Sequence, residues 1–201
     1  MAKTTISRVG YGQVEPNHLS AQRTGQIYAQ LPADDEITLL ENGQYVKYDY
    51  ENGKVDFSGD GEWMMVFNEV KLYDDWRESY KDFAMEKDNY TPGTYSYVDA
   101  SNQTQTATVD HGVSTKGQMV PRVIKTNVGD IYTTNCLGEA GVKNAITNGI
   151  DVEVGDKLTP SNTGYLNVTN DADNAEMVWT VVKVYTMPDT NQPGVKLQRI
   201  K

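Results

Sequence analysis

The feature that most constrains this chain is a pair of Asn-Gly dipeptides, Asn42-Gly43 and Asn52-Gly53. They separate three β-prone runs, Ile37-Thr-Leu-Leu40, Tyr45-Val-Lys-Tyr-Asp-Tyr50 and Val55-Asp-Phe57. Asn and Gly both tolerate the positive φ that a two-residue hairpin turn demands, so the pattern predicts a three-stranded antiparallel meander. In the middle run Tyr45, Lys47 and Asp49 alternate with Val46, Tyr48 and Tyr50, which predicts a strand with one buried side.

Further along, Trp63-Met-Met-Val-Phe-Asn-Glu-Val-Lys-Leu72 is too apolar for a sheet edge and reads as a central strand. Tyr73, Trp76, Tyr80, Phe83 and Ala84 then recur at three- and four-residue steps. With Asp74 and Asp75 ahead of them and Lys81 and Lys87 towards the end, they predict one amphipathic helix over about 74–86. Residues 91–118 hold 16 Ser, Thr, Asn, Gln or Gly among 28, with only Asp99, Asp110 and Lys116 charged, so a long polar loop or a thin β-excursion is expected over about 88–118. Strand patterns return at 119–126, 131–137, 150–154, 165–168, 177–187 and 194–200. The run at 177–187 is the longest β-branched one and is expected to lie centrally. Val128-Gly-Asp130 and Val154-Gly-Asp156 read as two uses of one tight turn rather than as a repeat.

Residues 1–35 mix Gly10, Gly12, Pro16, Gly25 and Pro32 with apolar positions that keep no steady period. They read as an extended N-terminal arm ahead of a β-rich domain over 36–201; a helix over 19–31 is the weaker alternative, because Gly25 would interrupt it. The expected fold is therefore mainly β, an antiparallel meander, small β-barrel or sandwich, with one short amphipathic helix and the arm.

The 201 residues include 18 Lys and Arg against 28 Asp and Glu, a net charge of −10 that repels nucleic acid and anionic lipid at long range. Hydrophobic residues at 38% suffice for a core. The single cysteine, Cys136, allows no intrachain disulfide and no four-thiolate zinc site. Met1-Ala-Lys-Thr-Thr-Ile-Ser-Arg8 lacks the apolar run of a signal peptide, and no stretch approaches the length of a membrane span, so a soluble protein made in a cytoplasm is expected.

Motifs for chemistry are sparse. His18 and His111 stand in polar, glycine-containing surroundings, and neither they nor Cys136 belong to a Gly-x-Ser-x-Gly, His-Glu-x-x-His or Cys-Gly-x-Cys pattern. Asp56-x-Ser58-x-Asp60-Gly61 begins like a calcium loop, but its twelfth place is Phe67 rather than a bidentate carboxylate, so a polar turn is expected there and again at Asn170-Asp-Ala-Asp-Asn174. No Gly-x-Gly-x-x-Gly or Walker loop occurs. No catalytic residue, cofactor or metal is expected. Thirteen tyrosines against three phenylalanines suit both contact surfaces and the half-buried faces of thin sheets.

Three runs carry a resemblance: Glu41-Asn-Gly-Gln-Tyr-Val-Lys-Tyr-Asp49, Val66-Phe-Asn-Glu-Val-Lys-Leu-Tyr-Asp74 and Lys81-Asp-Phe-Ala84. Together with Val154-Gly-Asp-Lys-Leu158, Thr163-Gly-Tyr-Leu166, the strand at 178–185 and the closing Gly194-Val-Lys-Leu-Gln-Arg-Ile200, their order resembles small structural proteins encoded in the head-gene region of tailed bacteriophages. The succession of turns is similar to the small β-barrels of capsid decoration, or cement, proteins. The resemblance implies a non-enzymatic virion protein on the capsid exterior, made in the host cytoplasm. Its partners would be the major capsid protein and neighbouring copies of itself, as a homo-oligomer such as a trimer, with no direct nucleic-acid or membrane contact. On that reading Arg8, His18, Leu19, Arg23, Ile27, Tyr28 and Leu31 of the arm make the partner contact, ordering on the lattice as they bind. The alternative is a carbohydrate-binding β-module of a phage tail or cell-surface protein, which would use aromatic platforms in place of an arm; an enzyme working through the acidic turns and a cation is a third reading.

Overall fold

The alternation of side chains that marks a β-strand is used on both sides of one sheet in this protein. The computed structural model describes residues 3–8, 12–28, 30–68, 84–87, 94–98, 103–108, 113–115, 119–138, 150–187 and 191–201. The elements in chain order begin with β1 (Thr4–Ile6), β2 (Val14–His18), α1 (Ser20–Thr24), β3 (Ile27–Tyr28), β4 (Leu39–Glu41), β5 (Tyr45–Asp49), β6 (Lys54–Asp56) and β7 (Met64–Val66). They continue with β8 (Ala84–Lys87), β9 (Thr94–Val98), β10 (Thr104–Thr108), β11 (Val113–Thr115), β12 (Val123–Ile124) and β13 (Ile131–Thr134). The last are β14 (Ile150–Val152), β15 (Lys157–Pro160), β16 (Leu166–Val168), β17 (Trp179–Thr186) and β18 (Pro193–Arg199). The fold is mainly β, with several antiparallel sheets, one short helix and, among the described residues, no closed barrel.

A six-stranded sheet runs β16-β15-β17-β18-β13-β2 and a five-stranded sheet runs β3-β12-β7-β5-β6. Smaller sheets pair β1 with β14, β9 with β10, and β8 with β4 and β11. The five-stranded sheet separates two cores. Tyr45, Met65 and Ile124 point into the first, while Val46, Tyr48, Met64, Val66 and Val123 point into the second. The strand expected to bury one side, β5, thus buries both from Tyr45 to Tyr48. The first core joins this sheet to the six-stranded one through Tyr132, Leu158, Trp179, Val195 and Leu197. At its centre the Tyr45 and Tyr132 hydroxyls lie 3.0 Å apart, and the Trp179 ring stands edge-on to Tyr132, with centroids 4.8 Å apart at 86°. As its β-branched run predicts, β17 lies inside the six-stranded sheet.

The second Asn-Gly turn joins β5 to β6 as an antiparallel hairpin, as expected, but Asp49 lies opposite Lys54, so residues 50–53 form the connection in place of a two-residue turn and only Gly53 takes a positive φ, 66°. The first does not close a hairpin. β4 pairs with β8, and β5 takes β7 as its other neighbour, so the three-stranded meander is corrected to a two-stranded hairpin and a corner. The corner is held from a distance: Asn42 Nδ2 donates to Asn68 O at 3.2 Å, Asn68 N donates to Asn42 Oδ1 at 2.7 Å, and Gly43 N donates to Val66 O at 2.9 Å. Gly43 has φ of 93°, and a Cβ there would come within 2.6 Å of Val14 Cγ2, so only glycine fits.

Two further expectations change. Most of the helix expected over 74–86 lies outside the described residues, and its last positions, 84–86, belong to β8, where Ala84 is buried opposite Glu41. Pairing with β4 overrides the local helical period there. Among the described residues the helix is α1, which stands in the N-terminal segment and ends where Gly25 takes the left-handed conformation, at φ 68°.

That segment is extended, as expected, but it is no free arm. β1 pairs with β14, and β2 is the edge of the six-stranded sheet, the position in which Pro16 lacks no ladder bond. Ile6, Val14, Leu19 and Ala21 belong to the first core. Irregular apolar spacing hid this because each residue meets a different neighbour. Removal of residues 1–28 is expected to leave a chain without a cooperative urea transition, since four core side chains and the edge strands of both large sheets, β2 and β3, go with it. Trp179→Ala in the full chain should lower stability by about 3 to 5 kcal/mol in urea unfolding.

Candidate functional site

Three chemistry-bearing residues, Arg8, Glu41 and Cys136, meet at the buried corner between β4 and β13. Arg8 Nη2 donates to Glu41 Oε2 at 2.5 Å, Arg8 Nη1 reaches Asn135 O at 3.4 Å, and Cys136 Sγ donates to Glu41 Oε2 at 3.6 Å. The Arg8 guanidinium also lies 5.6 Å from the centroid of the Tyr165 ring. Burial opposes the Arg8 charge, but Glu41 beside it, helped by Cys136 and Tyr165, holds its pKa above the ordinary value. Burial raises the Glu41 carboxyl against the pull of Arg8 and drives the Cys136 thiol upward. A buried thiol of raised pKa is a poor nucleophile, and the contacts of this cluster tie the N-terminal segment to the sheets.

The structure divides the residues expected to contact a partner. Arg8 and Leu19 are buried within the fold and cannot serve a partner, a correction whose cause is the Glu41 ion pair for one and the first core for the other. Ile27 rests on the first core, and Tyr28 and Leu31 on the second, each half-buried. Of this set only His18, at the end of β2, and Arg23, in the last turn of α1, are exposed. The set therefore forms no single surface. His111 lies outside the described residues.

The acidic turns serve the backbone. Asp56 Oδ1 accepts from Ser58 N at 2.9 Å and Gly59 N at 2.6 Å, closing a local turn as expected. The two Val-Gly-Asp turns are alike in detail. Gly129 and Gly155 have φ of 96° and 99°, and the Asp130 and Asp156 carboxylates accept from Asn127 N and Glu153 N, each at 2.9 Å. Gly129 N then donates to Arg199 O at 2.9 Å and Gly155 N to Val181 O at 2.8 Å, so one device docks both connections onto the adjacent strands β18 and β17.

Two surface features remain that can meet a partner or ligand. The first is a cleft of about 190 Å³ lined by Tyr28, Gln30, Tyr48, Tyr50, Glu62 and Met64, where the second core opens to solvent. Tyr48 and Tyr50 share a face of the strand end, their rings at 89° with centroids 5.7 Å apart. Tyr50 is 73% exposed. Glu62 Oε1 accepts from Lys125 Nζ at 2.7 Å at its rim. Burial, followed by the neighbouring Tyr50, raises the Tyr48 phenol above its ordinary range, so it keeps its proton at neutral pH. The alternation of Tyr48 and Tyr50 next to a turn is the one sequence signal for this cleft; nothing local joins Tyr28 or Glu62 to it. A larger recess, about 290 Å³ beside Ile37, Leu39 and Phe57, has its Gln44 amide engaged with Thr163 O at 2.7 Å.

The second feature is the β9-β10 ribbon, which gives the expected β-excursion a fixed form. Its antiparallel register runs from Thr94 opposite Thr108 to Val98 opposite Thr104, and among the described residues it is a sheet of two strands. No family model, curated protein or solved structure matches the chain.

Arg8→Ala is expected to cost about 3 to 5 kcal/mol in urea unfolding, because it strands the Glu41 charge in the interior, whereas the pair of changes Arg8→Met and Glu41→Leu should cost clearly less than the single one. A double variant no more stable than Arg8→Ala would contradict this account of the corner. Cys136, Tyr45 and Tyr132 are all held above their ordinary pKa by burial, so the unfolded chain gives up these protons first. Their contribution to stability is present below the unfolded values and lost as pH rises; the thermal midpoint should hold at neutral pH and fall beyond about pH 9 to 10.

Proposed function

We propose that the protein is a non-enzymatic structural component of a virion, binding the outer face of a major capsid lattice as a decoration protein. The observation that carries this reading is the β9-β10 ribbon. Two strands alone are marginally stable in water, and a ribbon's outer edges offer main-chain donors and acceptors to a further strand. Between residues 94 and 108 the only charged side chain is Asp99, so this segment of an acidic protein approaches another acidic surface with little repulsion. A capsid subunit or a neighbouring copy that adds a strand would order the ribbon and gain a register-specific contact. The net charge of −10 agrees with a position away from packaged nucleic acid, and the order of turns over most of 37–200 supports the same reading. Arg8 and Leu19 have no part in it; the exposed His18 and Arg23 are free to flank the contact.

Because the ribbon shares no sheet with the other described strands, its removal should separate folding from binding. Particles lacking the protein are mixed with the full chain or with a variant in which 94–108 is replaced by a short Gly-Ser link, and bound protein is measured after sedimentation. The full chain should co-sediment and the variant should lose about tenfold or more of its binding, with a thermal midpoint within a few degrees of the parent. Equal occupancy by the two proteins, or no occupancy by the full chain, would overturn the proposal.

A further inference from the structure

The geometry points to a second binding activity: the cleft lined by Tyr28, Tyr48 and Tyr50 is a site for one ring of a neutral saccharide. The inference rests on the cleft alone and is independent of the capsid reading. A pyranose presents an apolar face of C–H groups and a rim of hydroxyls, and its site needs an aromatic face with hydrogen-bonding groups beside it. Both are present. Tyr50 leaves 73% of itself uncovered at the mouth of the recess, far more than its stacking partner Tyr48, which is 3% exposed, and the two rings meet at 89° as floor and wall of a corner. Polar groups converge from two other segments, 28–30 and 62–64, and from the tyrosines themselves. Gln30 supplies an amide that donates and accepts, Glu62 supplies a carboxylate, and the tyrosines supply phenolic hydroxyls.

Charge and size choose the ligand. Lys125 already neutralises Glu62 at 2.7 Å, so the rim holds no unpaired cation from that pair, and the protein as a whole is acidic at −10. Sialic or uronic acids would be repelled; an uncharged hexose or N-acetylhexosamine would not. A volume of about 190 Å³ accepts one ring with its neighbours in solvent, as at the end or along the surface of a glycan chain. It does not extend into the longer aromatic groove on which a proline-rich peptide lies.

The test uses the full chain and the methyl glycosides of glucose, galactose, mannose and N-acetylglucosamine, observed by saturation-transfer NMR and by tyrosine fluorescence titration. At least one glycoside should bind with Kd of about 1 mM, the strength usual for a ligand of this size. Tyr50→Ala should weaken it about tenfold, while Tyr50→Phe should stay within about twofold, since the ring face supplies the contact and the hydroxyl does not. Both variants should keep the parent's thermal midpoint, because the ring is exposed, and should sediment with particles as the parent does. Absence of binding by all four glycosides at about ten times that Kd, unchanged binding in Tyr50→Ala, or a fluorescence response only to a proline-rich peptide would overturn the inference.

Discussion

Everything in this molecule follows from the burial of the five-stranded sheet on both faces. A strand with one wet face needs a single set of apolar residues in alternation; a strand between two cores must be apolar, or internally paired, at every position. β5 meets that demand with tyrosines. Tyr45 turns into the first core and joins its hydroxyl to that of Tyr132 at 3.0 Å, so a phenol that burial would otherwise penalise is satisfied from the opposite sheet. Tyr48 stays buried in the second core, and Tyr50, one pleat repeat further on, is exposed, so the pair carries the chain from interior to cleft. Lys47, on the first-core side of the same strand, reaches Glu176 at 2.7 Å and lies over the Trp63 ring, which lets a charged residue stand in an otherwise buried run.

The Arg8 and Glu41 pair at the corner follows from the same demand. A chain that must leave one sheet at Glu41 and enter another at Tyr45 exposes backbone groups inside the molecule. Here they are met from both ranges: the Asn42 side chain pairs with the backbone of Asn68, far along the sequence, and the Gln44 side chain accepts from Glu41 N only three residues away. Arg8 brings the N-terminal segment into this network, and Gly12 and Gly43 let it approach, since a Cβ at Gly12 would sit 2.5 Å from Cys136 Sγ. The residues most often recruited for catalysis, an arginine, a glutamate and a cysteine, are thereby absorbed by architecture.

How much of this was legible in the sequence depends on the range of each interaction. Most strands from β12 onward were, because alternation and β-branching are local, although the expected strands left out β15; so were the Val-Gly-Asp turns, whose carboxylates reach only three residues back. The hairpin at Asn52-Gly53 was read correctly for the same reason. Asn42-Gly43 has the same dipeptide and a different outcome, because its partners, Asn68 and Val66, lie more than twenty residues away and no local pattern announces them. The N-terminal segment failed on similar grounds: Ile6, Val14, Leu19 and Ala21 keep no period, since the first core is reached by two short strands and a helix of five residues. Of the residues expected to form a contact surface, Tyr28 alone lines the cleft, which its neighbours across the sheet complete.

The two surfaces that remain for recognition share one physical property, and it explains why they stand out on this protein. With ten net negative charges, any two copies repel beyond contact, and at physiological ionic strength that repulsion decays over a Debye length of roughly 8 Å. Close approach therefore favours segments that carry little charge of their own. The ribbon, with Asp99 as its one charged residue, and the cleft, whose Glu62 is neutralised by Lys125, are such segments. They lie in different sheets, so a main-chain contact through the one leaves the tyrosine rings of the other free. Acidity on this account does more than keep the protein from nucleic acid: it confines association to the few places where the surface is uncharged, and so makes the geometry of those places decide the partner.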